Sequence, residues 1–378
     1  MKKILIITHT ISSGGGAEKI LNIILKFINK EKYQIDILEI KNFGKSYNII
    51  DNINYLGHIR SNKNNILEKL KDKIYLFLLV FFPKVVYKKF IKKEYDIKIS
   101  FNYLVPSFLI TSINDNSKKI CWIHSSIEDL NYKQYKGIRK IEYKLLNYIE
   151  KKTFYKADYI VPISKKTKES IENIYPSIKS KLKLIYNGFD FKDFDSIKAF
   201  EKENYIVISG RIEKRKNFSL AVDVINELVN NRKINIKLLI LGEGVLKKQL
   251  ENKIRKLNLE EYIKLKGYIK EPYEYVKKAK VMLMTSFSEG FPTVIVESLA
   301  LKTPVISTPV AGTDELLYYQ DKKCGEITTY EVKDIADKIE NLLLNEELYK
   351  TYQELGYKNV KHFSVENQLE NLEKLLEN

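Results

Sequence analysis

Ser286-Phe287-Ser288-Glu289-Gly290-Phe291-Pro292-Thr293-Val294-Ile295-Val296-Glu297 sets two glutamates eight residues apart around a Gly-Phe-Pro turn. Val281 to Thr285, just before it, reads as a buried strand, and Val294 to Leu301 as a helix with Pro292 at its first position. Glu289 then falls on the strand-to-helix loop and Glu297 about two turns into the helix. In an open α/β sheet that loop lies at the carboxyl edge of the strands, where ligands bind. The free backbone N–H groups from Phe291 to Val294 suit a polyoxygenated or anionic ligand. By spacing alone, a helix with an ordinary surface glutamate at each place fits the same residues.

Outward from this stretch the chain reads as two βα arrays. The second array has strands near 204–209, 236–241, 262–266, 281–285 and 304–307, with helices near 217–231, 245–257, 272–279, 293–302, 331–344 and 346–360. The first has strands at 3–8, 34–40, 53–57, 96–101, 118–124, 158–163 and 182–186, and its clearest helices at 17–30, 138–156 and 164–174. Apolar strand runs alternating with amphipathic helices predict parallel sheets covered on both faces. The polar, strandless stretch 189–203 is the expected linker between a domain over 1–188 and one over 204–360. Asp193-Phe194-Asp195 within it reads as a solvated loop.

Composition is consistent with two globular domains. The chain has 378 residues, 44% of them hydrophobic, which is long for one core. Two cysteines, Cys121 and Cys324, are too few for a disulfide framework or a zinc site. The opening Met1-Lys2-Lys3-Ile4-Leu5-Ile6-Ile7-Thr8 is a short strand rather than a signal peptide, so a reducing cytoplasm is expected. The net charge of +17 comes with lysine spread everywhere and with no zinc finger, RNP-like motif or basic helix of the usual kinds. Nucleic acid is therefore not the expected partner; an anionic membrane surface is. Residues 74–82 are continuously apolar, and Lys84, Lys88, Lys89, Lys92 and Lys93 follow. After Pro83 a helical wheel puts the lysines on one half and Val86, Tyr87, Phe90 and Ile91 on the other. That pattern suits an interfacial helix with its apolar half toward acyl chains. It equally suits a core helix with a solvated lysine face.

The Glu289/Glu297 pattern resembles the E-x7-E signature of retaining glycosyltransferases of the GT-B fold, family 4 (group 1), in particular the bacterial capsule and surface polysaccharide subgroup. Ser209-Gly210-Arg211 with Lys216-Asn217 is similar to that family's "GR…KN" segment. Leu241-Gly242-Glu243-Gly244 resembles its "GxG" turn, and Pro309-Val310-Ala311-Gly312 its loop before Glu315. Gly14-Gly15-Gly16-Ala17-Glu18-Lys19 looks like its "GGAE" loop. The likeness is specific in the C-terminal half and looser between residues 40 and 160.

The resemblance implies an α/β chain of two facing Rossmann-like domains with a deep cleft, and a C-terminal helix, within 361–378, that crosses back to the N-terminal domain. It implies a nucleotide-diphosphate sugar donor, UDP-sugar foremost, a lipid-linked glycan acceptor, no cofactor and no metal. Arg211 and Lys216 would grip the diphosphate, and Gly15 and Gly16 would approach the donor phosphates. His124, ending the strand Ile120-Cys121-Trp122-Ile123, would assist at the donor. Glu297 would hold the ribose hydroxyls. Glu289 would hold the sugar hydroxyls, helped by Gly290, Phe291, Pro292 and Thr293. Work on the cytoplasmic face of the cell membrane would follow. A nucleotide-sugar epimerase of the same architecture and a non-catalytic scaffold on a transferase fold are the alternatives. The first would release product without an acceptor, and the second predicts damaged motifs, whereas every expected charged position is filled.

Overall fold

The computed structural model describes residues 1–11, 15–43, 53–61, 66–125, 127, 138–198 and 200–377. The chain divides into two compact units. Met1–Phe189 and Val365–Asn378 form the first, and Asp190–Ser364 the second.

The first unit is built on a parallel sheet of β1 (Lys2–Thr8), β2 (Tyr33–Asn42), β3 (Ile53–Ser61), β4 (Ile97–Ser100), β5 (Lys118–Ile123) and β6 (Tyr159–Pro162), in the order β3-β2-β1-β4-β5-β6. Ile4, Leu5, Ile6 and Ile7 are all buried, because β1 is central and covered on both faces. The expected strand at 182–186 is reduced to a single bridge from Leu182 to Ile160. Lys183 and Ile185 donate their N–H groups to the carbonyls of Ile160 and Pro162, but Pro162 has no N–H to return.

The helix Val365–Glu377 belongs to this unit. The Val365 N–H donates to the Phe189 carbonyl at 3.0 Å. Lys2 and Lys118 donate to the carbonyls of Leu375 and Leu376 at the helix end, where cations offset the exposed dipole. Gly188 permits the approach: a β-carbon there would meet the Gln368 β-carbon at 2.7 Å.

Residues 74–93 divide between the helices Ile66–Phe81 and Pro83–Phe90. Val86, Tyr87 and Ile91, placed toward acyl chains by the wheel, are buried with Leu79 and Tyr95 in the first unit's core. Pro83 starts a new helix whose apolar stripe turns inward. The exposed apolar side chains are instead Ile74, Phe77, Phe81, Phe82 and Val85. Lys89 leans back over the first of these helices, its Nζ 2.6 Å from the Tyr75 hydroxyl.

The second unit carries β7 (Glu203–Ser209), β8 (Lys237–Leu241), β9 (Ile263–Gly267), β10 (Ala279–Met284), β11 (Val305–Ser307) and β14 (Glu326–Ile327), in the order β14-β11-β10-β7-β8-β9. A two-residue hairpin, β12 (Tyr318–Tyr319) with β13 (Lys322–Lys323), stands apart and left no period in the sequence to find. Asp193-Phe194-Asp195 forms a helical turn, Lys192–Asp195, rather than a loop, because Phe194 is buried and Asp195 accepts from Tyr357 Oη at 3.1 Å. The strand order reverses at β7, which has β8 on one side and β10 on the other. The crevice at the carboxyl ends of β7 and β10 is thus this unit's topological switch point.

Candidate active site

Two loops meet at that switch point. The loop after β7 begins at Gly210, whose φ of +146° suits glycine alone. It then makes a tight turn over Lys214–Lys216, and Asn217, left-handed at φ +48°, opens the helix Phe218–Asn226. The loop after β10 carries Glu289. The Phe287 N–H donates to the Arg215 carbonyl at 2.8 Å, and Thr285 Oγ1 donates to the carbonyls of Lys216 and Asn217. These hydrogen bonds set the basic turn against the glutamate.

Glu289 is 8% exposed. Its Oε1 lies 2.7 Å from Lys216 Nζ, an ion pair bent off the angle of a hydrogen bond. Its Oε2 accepts from Arg215 Nη1 at 2.8 Å. Burial pushes the carboxyl pKa up, but the Lys216 and Arg215 charges outweigh burial and hold it below the ordinary glutamate value. The result is a buried, ionised, acceptor-only group at the edge of the sheet.

The neighbouring loops leave little freedom. A β-carbon on Gly242 would fall 1.8 Å from the Gly210 carbonyl oxygen, and one on Gly244 2.3 Å from that of Ile212. Across the same seam the Gly210 N–H donates to the Leu241 carbonyl, the Ile212 N–H to that of Glu243, and the Leu246 N–H to that of Ile212. Gly312, at φ +88°, packs on Phe291 and Pro292 from the loop after β11. Pro292 takes the cap position and Thr293 the first helical one, a residue later than expected. Phe291 is buried beside Phe363, and Glu297 is buried within the helix Thr293–Ala300.

Lys216, Glu289 and the Gly290–Thr293 turn thus gather at one edge. Arg211 does not join the ion pair at Glu289. Its side chain is 76% exposed and lies 3.5 Å from Glu213. Arg215, not singled out by the sequence reading, takes the place beside Glu289. A basic run of three residues gives no sign of which member turns inward, because the turn geometry decides it.

The remaining predicted residues lie in the first unit. Gly15 caps the helix Gly16–Phe27, which Gly16 begins; Gly14 lies outside the described residues. Gly15 has an extended backbone, and a β-carbon there would stand 2.4 Å from Glu18 Oε2, the end of a side chain that can turn aside. The strand-end segment leading to this loop is held by Glu39, a buried carboxylate of β2 that the sequence reading missed. It accepts from Thr10 Oγ1, the Ile11 N–H and Tyr55 Oη at 2.7–2.9 Å. Its only signal was a charge inside an apolar strand. His124 directly follows β5, its ring 4.4 Å from Phe101 and nearly parallel to Trp122. Burial pushes its pKa down to about 3, so the imidazole is neutral at physiological pH. Its covered Nε2 has no hydrogen-bond partner among the described residues.

Known proteins share both sequence and fold with this chain. The family model "Glycosyltransferase Family 4" matches residues 15–193, and "Glycosyl transferases group 1" matches residues 190–359. A Campylobacter jejuni protein named N-acetylgalactosamine-N,N'-diacetylbacillosaminyl-diphospho-undecaprenol 4-alpha-N-acetylgalactosaminyltransferase is 28% identical over 370 residues, 96% of each chain. The amylovoran biosynthesis glycosyltransferase AmsD of Erwinia amylovora is 26% identical over 97% of each chain. Among solved structures, Anabaena HepE in complex with UDP superposes with a TM-score of 0.72 at 16% identity, over 99% of both chains. A S. aureus TarM mutant bound to fondaparinux, alpha-GlcNAc-glycerol and UDP gives a TM-score of 0.76 at 16% identity, over the full length of both. With the two family models running end to end over residues 15–359, the chain belongs to the group 1, family 4 glycosyltransferases of the GT-B fold.

Proposed function

We propose that this glycosyltransferase moves a sugar from a nucleotide-diphosphate sugar, with UDP-sugar favoured, to a lipid-linked glycan in bacterial surface polysaccharide synthesis. It does so with retention of anomeric configuration and without a metal. One observation carries the reading: an ionised Glu289 sits buried against two cations at the switch point of a parallel sheet. The names of relatives that act on a diphospho-undecaprenol-linked sugar or in amylovoran biosynthesis support the acceptor class. UDP in structural neighbours of the same fold supports the base.

In the proposed reaction, Glu289 accepts hydrogen bonds from the donor sugar's hydroxyls and Glu297 from the ribose hydroxyls. Lys216 and Arg211 take the negative charge that develops on the diphosphate, where fixed cations lower the barrier most. Those cations do the work a divalent ion would otherwise supply. The acceptor hydroxyl attacks from the leaving-group face. Its oxygen bonds the anomeric carbon as the carbon–phosphate-oxygen bond breaks. The electron pair and the acceptor proton both pass to that phosphate oxygen. Glu289 keeps Arg215 as its cationic partner while Lys216 serves the diphosphate, so it is assigned to binding rather than to a covalent intermediate. His124, being neutral, serves as a hydrogen-bonding helper, and the Gly15–Gly16 helix start suits the donor phosphates.

An anionic membrane surface, on the cytoplasmic face, is the proposed setting. No helix among the described residues is long and apolar enough to cross a membrane. Ile74, Phe77, Phe81, Phe82 and Val85 are exposed beside a lysine-rich helix, which fits a protein that lies on the interface.

A thermal-shift panel of UDP, GDP, ADP and CMP, with and without magnesium, tests the donor. A ligand at a hundredfold excess over its dissociation constant adds about 2.7 kcal/mol of apparent stability. UDP alone raising Tm, equally with and without magnesium, is the expected result. A shift that needs magnesium would overturn metal independence, and no shift from any nucleotide would favour the scaffold alternative.

A further inference from the structure

Glu289 carries two cationic partners where one would neutralise it, and the two are held differently. Arg215 is anchored on several sides. Its Nη1 donates to the Ser288 carbonyl at 2.7 Å as well as to Glu289, and its Nη2 to Glu213 Oε1 at 3.2 Å. Its own carbonyl accepts from the Phe287 N–H. Lys216 Nζ has Glu289 as its one ion-pair partner among the described residues. Its stem runs past Gly210, where the missing side chain leaves room for the ammonium to turn. A guanidinium fork fixed at several points stays in place, whereas a lysine on a four-carbon stem can change partners.

We propose that Arg215 is a positioning residue that keeps Glu289 ionised while Lys216 turns from it to the donor diphosphate. This inference rests on the donor roles given above to Lys216 and Glu289. The charged groups at the carboxylate are Lys216 and Arg215, with Glu213 behind Arg215 and the Ser286 hydroxyl alongside. When Lys216 leaves, Arg215 is the cation that remains. A carboxylate this buried and without a cation takes up a proton. The protonated acid then loses acceptor capacity that the sugar hydroxyls need. No motif assigns the position of Arg215; its role follows from which way the turn directs its side chain.

Proton counting on nucleotide binding tests this directly. UDP is titrated calorimetrically into the full chain at about pH 6.5, where a buried acid would protonate, in two buffers of different ionisation enthalpy. Wild type, Arg215→Lys, Arg215→Met and the double variant Arg215→Met/Glu289→Gln are compared. Protonation of UDP itself is common to all four, so differences between them report the protein. Arg215→Met should take up about half to one proton more than wild type on binding. Arg215→Lys, which keeps the charge, and the double variant should not. A merely structural Arg215 would change affinity without changing the proton count. If Arg215→Met does not fold, Arg215→Gln goes through the same titration. Equal counts in all variants that bind UDP overturn the inference alone. Wild type binding no UDP removes the donor reading, and this inference with it.

Discussion

The backbone of Gly242 lies against the carbonyl oxygen of Gly210, so close that a β-carbon on Gly242 would stand 1.8 Å from it. The two glycines follow β8 and β7, and their contact sets the height of the Arg211–Lys216 turn above the sheet. Gly242→Ala must separate the two loops. It should cost about 3 kcal/mol, at the upper end of overpacking effects, read as a lowered urea midpoint. It should also weaken UDP binding, because the turn that carries Lys216 moves with the loop.

Replacing the carboxylate itself has two readouts. Glu289→Gln should lower transfer about a hundredfold, as expected for losing a charged hydrogen-bonding group aimed at the reacting sugar. Full retained activity would remove Glu289 from the site. The variant should also be less stable at neutral pH, since the partly buried Lys216 and Arg215 lose the carboxylate they share. The folded-state pKa of Glu289 is depressed, so its contribution is present above the ordinary value and is lost as pH falls through the folded one. The stability gap between variant and wild type should therefore begin to close below about pH 4.5.

His124 gives a less acidic interval of the same pH range a marker. Its folded pKa, about 3, lies below the ordinary 6.5. The unfolded chain therefore binds a proton at this residue first, and stability is present above 6.5 and lost on acidification. Between pH 6.5 and 5 that loss amounts to roughly 2 kcal/mol. His124→Gln should show a flatter dependence of unfolding midpoint on pH over that interval. An unchanged slope would place the imidazole in contact with water.

The exposed face of the helix Ile66–Phe81 should act on a bilayer. Flotation with vesicles rich in phosphatidylglycerol should carry the wild-type protein up, and raised salt should weaken this through screening of the lysines. Phe77→Ser/Phe81→Ser should reduce the floated fraction about tenfold or more, since each side chain contributes some 1.5–3 kcal/mol when buried. Equal flotation of variant and wild type would overturn the assignment. A wild type that dimerises without floating would assign the face to a second copy of the chain.

How far a residue was legible depended on what its position required. Strands β1, β7 and β8 announced themselves because burial on both faces demands an unbroken apolar run. The edge segment 182–186 looked like a strand by the same rule, yet Pro162 on its neighbour could not complete the ladder. Lysines 84–93 were legible as one face of a helix, but not which way the opposite face would turn. Val86 and Tyr87 went to the core, and the open apolar surface fell on Phe77 and Phe81 instead.

The sequence by itself determined the alternation of strands and helices, the placement of Glu289 on a strand-to-helix loop, and the family to which the chain is similar. These are local or patterned properties, carried by spacing and by side-chain chemistry. Only the tertiary structure decided that Arg215 rather than Arg211 faces Glu289, that Gly242 must be glycine, and that Glu39 serves the first loop from inside a strand. Each of those depends on two segments far apart in sequence meeting within a few ångströms, and no single stretch encodes the distance between them.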